Sequence, residues 1–312
     1  MGILNRDNGE QGFELVQRFH GSPYFTHITY LKSVEEIAPY INTQKGVMVL
    51  SLDEQFSRNL DAKKTAEIQL IFDGRKSNSA QIVAGYAQSI IAQFASGQTH
   101  VTLVPRYWFN PNQIYLWFTV PGLLGILILV ESLVITALSI AREKELGTFD
   151  QLLVSPLLPS QILIGKAIPA LIIAMAEGTI ILLAAIFLFQ IPFTGSFLLL
   201  YLSMFIFSLA IIGIGLFLSS LCLTQQQAIL SAFVFISPST LLSGFATPIE
   251  NMPNWLQPVT YIIPLRYFLI ISRGSFLKEL PASIIFDNLW PMALIATVTL
   301  TGAALLFRRR LE

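Results

Sequence analysis

The stretch IYLWFTVPGLLGILILVESLVITALSI, residues 114–140, decides the fold. It carries one charge, Glu131, in 27 positions. At 1.5 Å per residue a helix of that length reaches about 40 Å, more than the ~30 Å core of a bilayer. Four further runs have a similar character, at 162–189, 197–218, 228–245 and 289–307. Five membrane spans are therefore expected, with Tyr115, Trp117, Phe118 and Trp290 at span ends, where aromatic rings suit the interface. Composition agrees. Of 312 residues 54% are hydrophobic and 12% charged, with mean hydropathy +0.64, whereas soluble domains are about 25% charged.

The charge is uneven. Residues 1–113 hold 10 of the 19 Lys and Arg and 10 of the 19 Asp and Glu, leaving 9 of each for 114–312. The chain divides into a small α/β domain, 1–113, and an all-α polytopic membrane domain, 114–312. In the first part, 33–41 and 53–60 read as short helices opening on Ser33 and Asp53 caps. Residues 46–52 and 66–74 read as strands, the second with Ile68, Leu70 and Phe72 alternating. The segment 78–97 reads as a helix with Ile82, Tyr86, Ile90 and Phe94 on one face, and 100–109 is extended again. Between the fourth and fifth spans, Pro248, Pro253, Pro258, Pro264 and Pro281 forbid one continuous helix. Two short re-entrant half-helices fit there, packed on protein.

Positive charge near span ends sets the orientation. Arg142, Lys144, Lys166 and Arg308–Arg310 place those ends in the cytoplasm, which puts the first domain and the proline-rich segment outside. Arg266, Arg273 and Lys278 on the outer side oppose this count without reversing it. The first residues show no signal peptide, so translocation of the first domain implies either a preceding span missing from this chain or a first span acting as a reverse anchor.

Several chemistries are disfavoured. The net charge is +0, with no basic patch for nucleic acid. The single cysteine, Cys222, allows no internal disulfide or cysteine-based zinc site, and His20, His27 and His100 lack metal-ligand spacing. Gly74–Ser77, GRKS, lacks the leading half of a phosphate loop. Ser243 has no intramembrane histidine to activate it, which speaks against an intramembrane hydrolase. Glu131 and Glu177 are carboxyls at membrane depth. Each is either part of a polar or proton-coupled path or simply bonded to a neighbouring helix. Gly213 and Gly215 permit close helix packing, with a gating hinge as the alternative. Arg266 is either a headgroup anchor or a closure of the outer mouth.

The segment 141–166, AREKELGTFDQLLVSPLLPSQILIGK, is the most specific. It reads as a short amphipathic piece, with charges at Arg142, Glu143, Lys144, Glu145 and Asp150 against Leu146, Phe149, Leu152 and Leu153. It is interrupted at Gly147 and Thr148 and ended by Pro156 and Pro159. Taken alone it is either an interfacial helix or a docking lever for a cytoplasmic motor.

The pattern E-K-E-x-G-T-x-D-Q-L-x-x-x-P resembles the cytoplasmic loop of ABC-2 membrane transport proteins. DGRKSNSAQIVAGYAQSIIAQF is similar to the extracytoplasmic domain of that family's drug-export branch, and PIENMPNWLQPVTYIIPLRYFLIISRGSFLK to its re-entrant pair. The resemblance covers the whole chain. It implies a six-span permease, here lacking the first span, in a bacterial inner membrane with its C-terminus cytoplasmic. It further implies a second permease subunit, cytoplasmic ATPase subunits that hold the ATP, no cofactor in this chain, and contact with lipid. Arg142, Glu143, Lys144, Glu145, Gly147, Thr148 and Asp150 would form the ATPase-coupling loop, and Glu131, Glu177 and Arg266 the path of an amphipathic substrate. The family's amphipathic helix before its first span has no match. The rival reading is a non-transporting scaffold whose outer domain recruits a periplasmic adaptor.

Overall fold

The computed structural model describes residues 1–43, 45–74, 77–95, 101–108, 114–149, 151, 158–277 and 280–309, apart from the side chains of 77, 78, 159, 250, 308 and 309. The chain forms two compact units, Met1–Phe118 and Thr119–Glu312.

The first unit is an α/β layer structure. Its strands are β1 (Gly2–Asn5), β2 (Thr29–Tyr30), β3 (Met48–Leu52), β4 (Ala66–Asp73) and β5 (Val101–Trp108). They form one sheet in the order β2-β1-β3-β4-β5, parallel except between β3 and β4. Alternation along each strand supplies both faces. On one face Ile3, Leu50, Leu52, Ile68, Leu70 and Phe72 pack with Leu15, Val16 and Phe19 of α1 (Glu10–His20), Phe56 of α3 (Phe56–Asp61) and α4 (Ser77–Ala95). On the other face Leu4, Val49 and Ile71 pack with Ile37, Tyr40 and Ile41 of α2 (Ile37–Asn42).

Several local expectations shift. The buried stripe of α4 is Ala80, Ala84, Ala87, Ile91 and Phe94. Tyr86 instead lies exposed and stacks on Tyr24 at 4.0 Å. Ser33 stands at the N-cap of a 3-10 turn (Val34–Glu36) that precedes α2, with no side-chain cap bond; the Glu36 carboxylate accepts from the Lys32 backbone N–H at 2.9 Å. The cap position of α3 belongs to Gln55, because the Asp53 carboxylate is drawn to Arg6 at 3.0 Å. The helix α1 lies in a region where no element was expected, although Gly12, Leu15, Val16 and Phe19 form a buried stripe at helical spacing.

In the second unit α5 (Tyr115–Glu145), α6 (Pro159–Leu183), α7 (Phe197–Leu221) and α10 (Ala282–Arg309) correspond to four predicted spans. Among the described residues, four helices are long and apolar enough to cross a membrane: Tyr115–Glu145, Ser160–Leu188, Phe197–Leu221 and Ala282–Phe307. The run at 228–245 becomes α8 (Gln225–Leu242), 18 residues opened by three glutamines and closed before Gly244, whose φ is +86°. Its length is about 27 Å, a little short of a bilayer core. The proline-rich stretch resolves into two 3-10 pieces, Ile249–Asn251 and Gln257–Ile262, and one α-helix, α9 (Pro264–Leu277), rather than two half-helices of equal kind. The α9 helix packs against the first half of α5, with Leu265 and Phe268 beside Gly125, and with Ser272 Oγ donating to the Pro121 carbonyl at 2.6 Å.

Small residues set how closely α7 is approached. A Cβ on Gly213 would collide with Thr299 of α10, and one on Gly215 with the Thr136 hydroxyl of α5. Both glycines therefore serve packing. A Cβ on Gly302, by contrast, would meet Phe217 only at 3.6 Å. Gly215→Leu should cost several kcal/mol through forced separation of α5 and α7, whereas Gly302→Ala should be neutral within about 0.5 kcal/mol. Thermal unfolding of the detergent-solubilised protein checks both, and equal melting temperatures for the two variants would contradict this packing.

Candidate functional site at the α5–α6 end

The charged cluster Arg142–Glu145 is the last turn of α5, continuous with the spanning helix and not a separate amphipathic piece. The helix stops because Gly147 adopts φ +71°, a left-handed conformation that suits glycine. Thr148 N–H and Leu146 N–H then close back on the Glu143 and Arg142 carbonyls at 3.0 Å each. Leu146 is exposed, and Phe149 packs edge-on against Phe307 at 5.8 Å. Asp150, Leu152 and Leu153 lie outside the described residues.

The charged residues face in different directions. Glu143 pairs with Lys166 of α6, Nζ to Oε1 at 2.5 Å, with side chains 27% and 15% exposed. That burial lowers the local dielectric and makes the pair stronger than a surface ion pair. Lys166 also reaches the Ser139 carbonyl at 3.4 Å. Lys144 donates to the Ser220 and Cys222 carbonyls at 2.8 and 3.1 Å, placing its cation at the C-terminus of α7. Glu145 accepts from the Gln225 N–H at 2.6 Å, placing its carboxylate at the N-terminus of α8. Each charge meets the favourable end of a helix dipole, a contribution of roughly 0.3–1 kcal/mol per charge. One dipeptide therefore ties the end of α5 to both helices of the next turn. Ser219 Oγ adds a third tie, accepting from the Ile140 and Ala141 N–H groups at 3.0 and 3.1 Å. Arg142, Gly147 and Thr148 are exposed.

Composition flagged the charges on α5, but nothing in the sequence pointed to Ser219, Ser220, Cys222 or Gln225 as partners, because they lie 76–80 positions away. Lys166 was read for its charge alone.

Halfway along the helices, the Glu177 carboxyl of α6 lies beside that of Glu131 on α5. On each, Oε2 is buried with no hydrogen-bond partner among the described residues. Met204 and Ile128 close over Gly178 next to this pair, and Tyr201 donates to Thr179 at 3.0 Å. The geometry brings together two of the three residues expected to line a path. The third, Arg266, sits elsewhere on α9: its guanidinium donates to the Thr260 hydroxyl and stacks over Tyr261 at 4.0 Å. It braces the proline-rich segment internally.

Comparison with known proteins gives this arrangement its family. Residues 1–305 match the model of the ABC-2 family transporter proteins, and the chain belongs to that family. It is 46% identical over 315 residues to "Probable multidrug ABC transporter permease YbhR" of Escherichia coli K12, spanning 99% of this chain and 86% of that one. To "Probable multidrug ABC transporter permease YbhS" of the same organism it is 34% identical, spanning 94% and 81%. "ABC transporter G family member 20" of Dictyostelium discoideum is 24% identical over 89% of this chain and 40% of its own length. The chain is a multi-pass membrane permease, a transport subunit without catalytic chemistry of its own.

Lys166→Met should destabilise the protein by about 1–3 kcal/mol, because it leaves the Glu143 charge unpaired in a half-buried site. Combining it with Glu143→Gln should recover part of that loss. A double-mutant cycle on the detergent-solubilised protein measures the coupling, and strictly additive effects would show that the pair contributes nothing.

Proposed function

We propose that this chain is the permease subunit of an ATP-driven exporter that moves amphipathic molecules, drugs among them, outward across a bacterial inner membrane. Separate subunits bind and hydrolyse the ATP, and a second permease subunit completes the pathway. The observation that carries this reading is the split among residues 142–148. Arg142, Gly147 and Thr148 stand exposed at the helix end, without hydrogen bonds to the neighbouring helices among the described residues, while half-buried Lys144 and exposed Glu145 bond across to the ends of α7 and α8. Such an arrangement suits a lever: an ATPase subunit pushes on the exposed part, and the contacts of Lys144 and Glu145 pass the displacement to the next two helices.

In this reading α8 crosses as a fifth span, the 249–277 segment folds back into the outer leaflet, and the Thr148 end faces the cytoplasm, the side on which the positive-charge rule puts Lys166 and the basic C-terminal run of the sequence. A single crossing by α5 then leaves the first unit extracytoplasmic. Glu131 and Glu177 form the polar step of the pathway. Two neighbouring carboxyls with no ion-pair partner among the described residues are satisfied by a shared proton or by a cationic group on the substrate. Arg266 stabilises the outer segment that covers the pathway.

Two outcomes follow in vesicles holding the permease and its cognate ATPase. Lys144→Met should leave the ATPase bound and hydrolysing while transport falls at least about tenfold; loss of ATPase binding would make Lys144 a contact instead of a transmitter. Glu177→Gln should lower transport severalfold at unchanged protein abundance, and wild-type flux from that variant would remove the carboxyl pair from the pathway.

A further inference from the structure

The first unit contains a cleft of about 600 Å³ that the transport reading does not use. It lies at the carboxyl ends of three parallel neighbours, β2, β1 and β3. Asn5 and Arg6 come from the end of β1, Lys32 follows β2, and Glu54, Gln55 and Arg58 follow β3. Its position has a topological cause. The chain leaving β1 enters α1 on one face of the sheet, whereas the chain leaving β2 enters α2 on the opposite face. Adjacent strand ends whose connections part in this way open a crevice, and open α/β sheets bind their ligands in such crevices.

The lining sets the chemistry. Among the described residues no apolar side chain lines the cleft, which argues against the greasy molecules that partition into a membrane pathway. Three cations face it against one carboxylate. Arg6 is held by Asp53 at 3.0 Å and approaches Glu54 at 4.0 Å. Lys32 and Arg58 have no ion-pair partner among the described residues. Two uncompensated cations converging on a polar concavity raise the local concentration of anions, and a guanidinium suits the paired oxygens of phosphate or carboxylate.

We propose that the cleft binds a small, water-soluble phosphate or carboxylate. Arg58 and Lys32 take the charged group, Arg6 is aimed by Asp53, and Glu54 and Gln55 meet hydroxyl or amine donors on the remainder of the ligand. The site is separate from the pathway, and the proposal stands whether or not the chain transports anything.

Isothermal titration of the full chain in neutral detergent at low ionic strength tests it, with inorganic phosphate and citrate as probes. The expected result is saturable binding of one equivalent per chain to at least one probe, weakened about tenfold or more by Arg58→Gln and by Lys32→Gln. Arg58→Lys and Lys32→Arg should keep most of the affinity, and Lys64→Gln, an exposed cation outside the cleft, should change nothing. Melting temperatures without ligand should match the wild type, since both side chains are exposed. The proposal is overturned if neither soluble probe binds, if Lys64→Gln weakens binding as much as Arg58→Gln, or if only phosphatidylglycerol vesicles bind.

Discussion

Hydrocarbon offers no hydrogen-bond partner, and every part of the second unit answers to that fact. Backbone groups within a bilayer must be satisfied inside the chain, which leaves helices as the way for these apolar runs to cross. Charges must leave the core or find partners. Among the ionisable groups that remain inside, Glu131 and Glu177 lie side by side and Arg273 packs over the Phe245 ring, while others, such as Lys144 and Glu145, sit at helix ends. The same constraint explains why hydroxyls within the helices bond back to the preceding turn, as Thr136 does to the Ser132 carbonyl at 2.6 Å and Thr179 to the Met175 carbonyl at 2.7 Å.

Gathering charge at helix ends is also what makes a coupling device possible. In water the Lys144 and Glu145 contacts would be ordinary surface bonds. At the boundary of the membrane domain they meet the unsatisfied carbonyls and N–H groups of α7 and α8, where a single cation and a single anion each cap a helix. Close packing at Gly213 and Gly215 holds α7 against α10 and α5. In the proposed function, these contacts are the route by which a displacement at residues 142–148 would enter the bundle.

The long apolar runs were legible because they depend on composition over some twenty positions, a signal that no tertiary context reverses. The strands β3 and β4 were legible for a similar reason, since their apolar patterns are dense. The face of α4 was misread because large residues drew attention. Tight packing of the helix on the sheet selects Ala80, Ala84 and Ala87 instead, and pushes Tyr86 out against Tyr24. The expected cap at Asp53 failed for an electrostatic reason: Arg6, 47 positions away, competes for its carboxylate, whereas Ser33 keeps its N-cap position but makes no side-chain cap bond. The contacts of Lys144, Glu145 and Ser219 depend on helices brought together only by the fold, and the cleft at the ends of β1, β2 and β3 depends on strand order. Neither leaves a local trace in sequence.

The account depends above all on α5 crossing the membrane once, so that its two ends face different compartments. Single cysteines at Lys64 and at Thr148, introduced into a Cys222→Ser background, test this with a membrane-impermeant maleimide applied to cells with a permeabilised outer envelope. The account predicts labelling at position 64 in intact cells and at position 148 only after the inner membrane is opened. Equal labelling of both positions before lysis would contradict it, and with it the docking of an ATPase at the α5–α6 end.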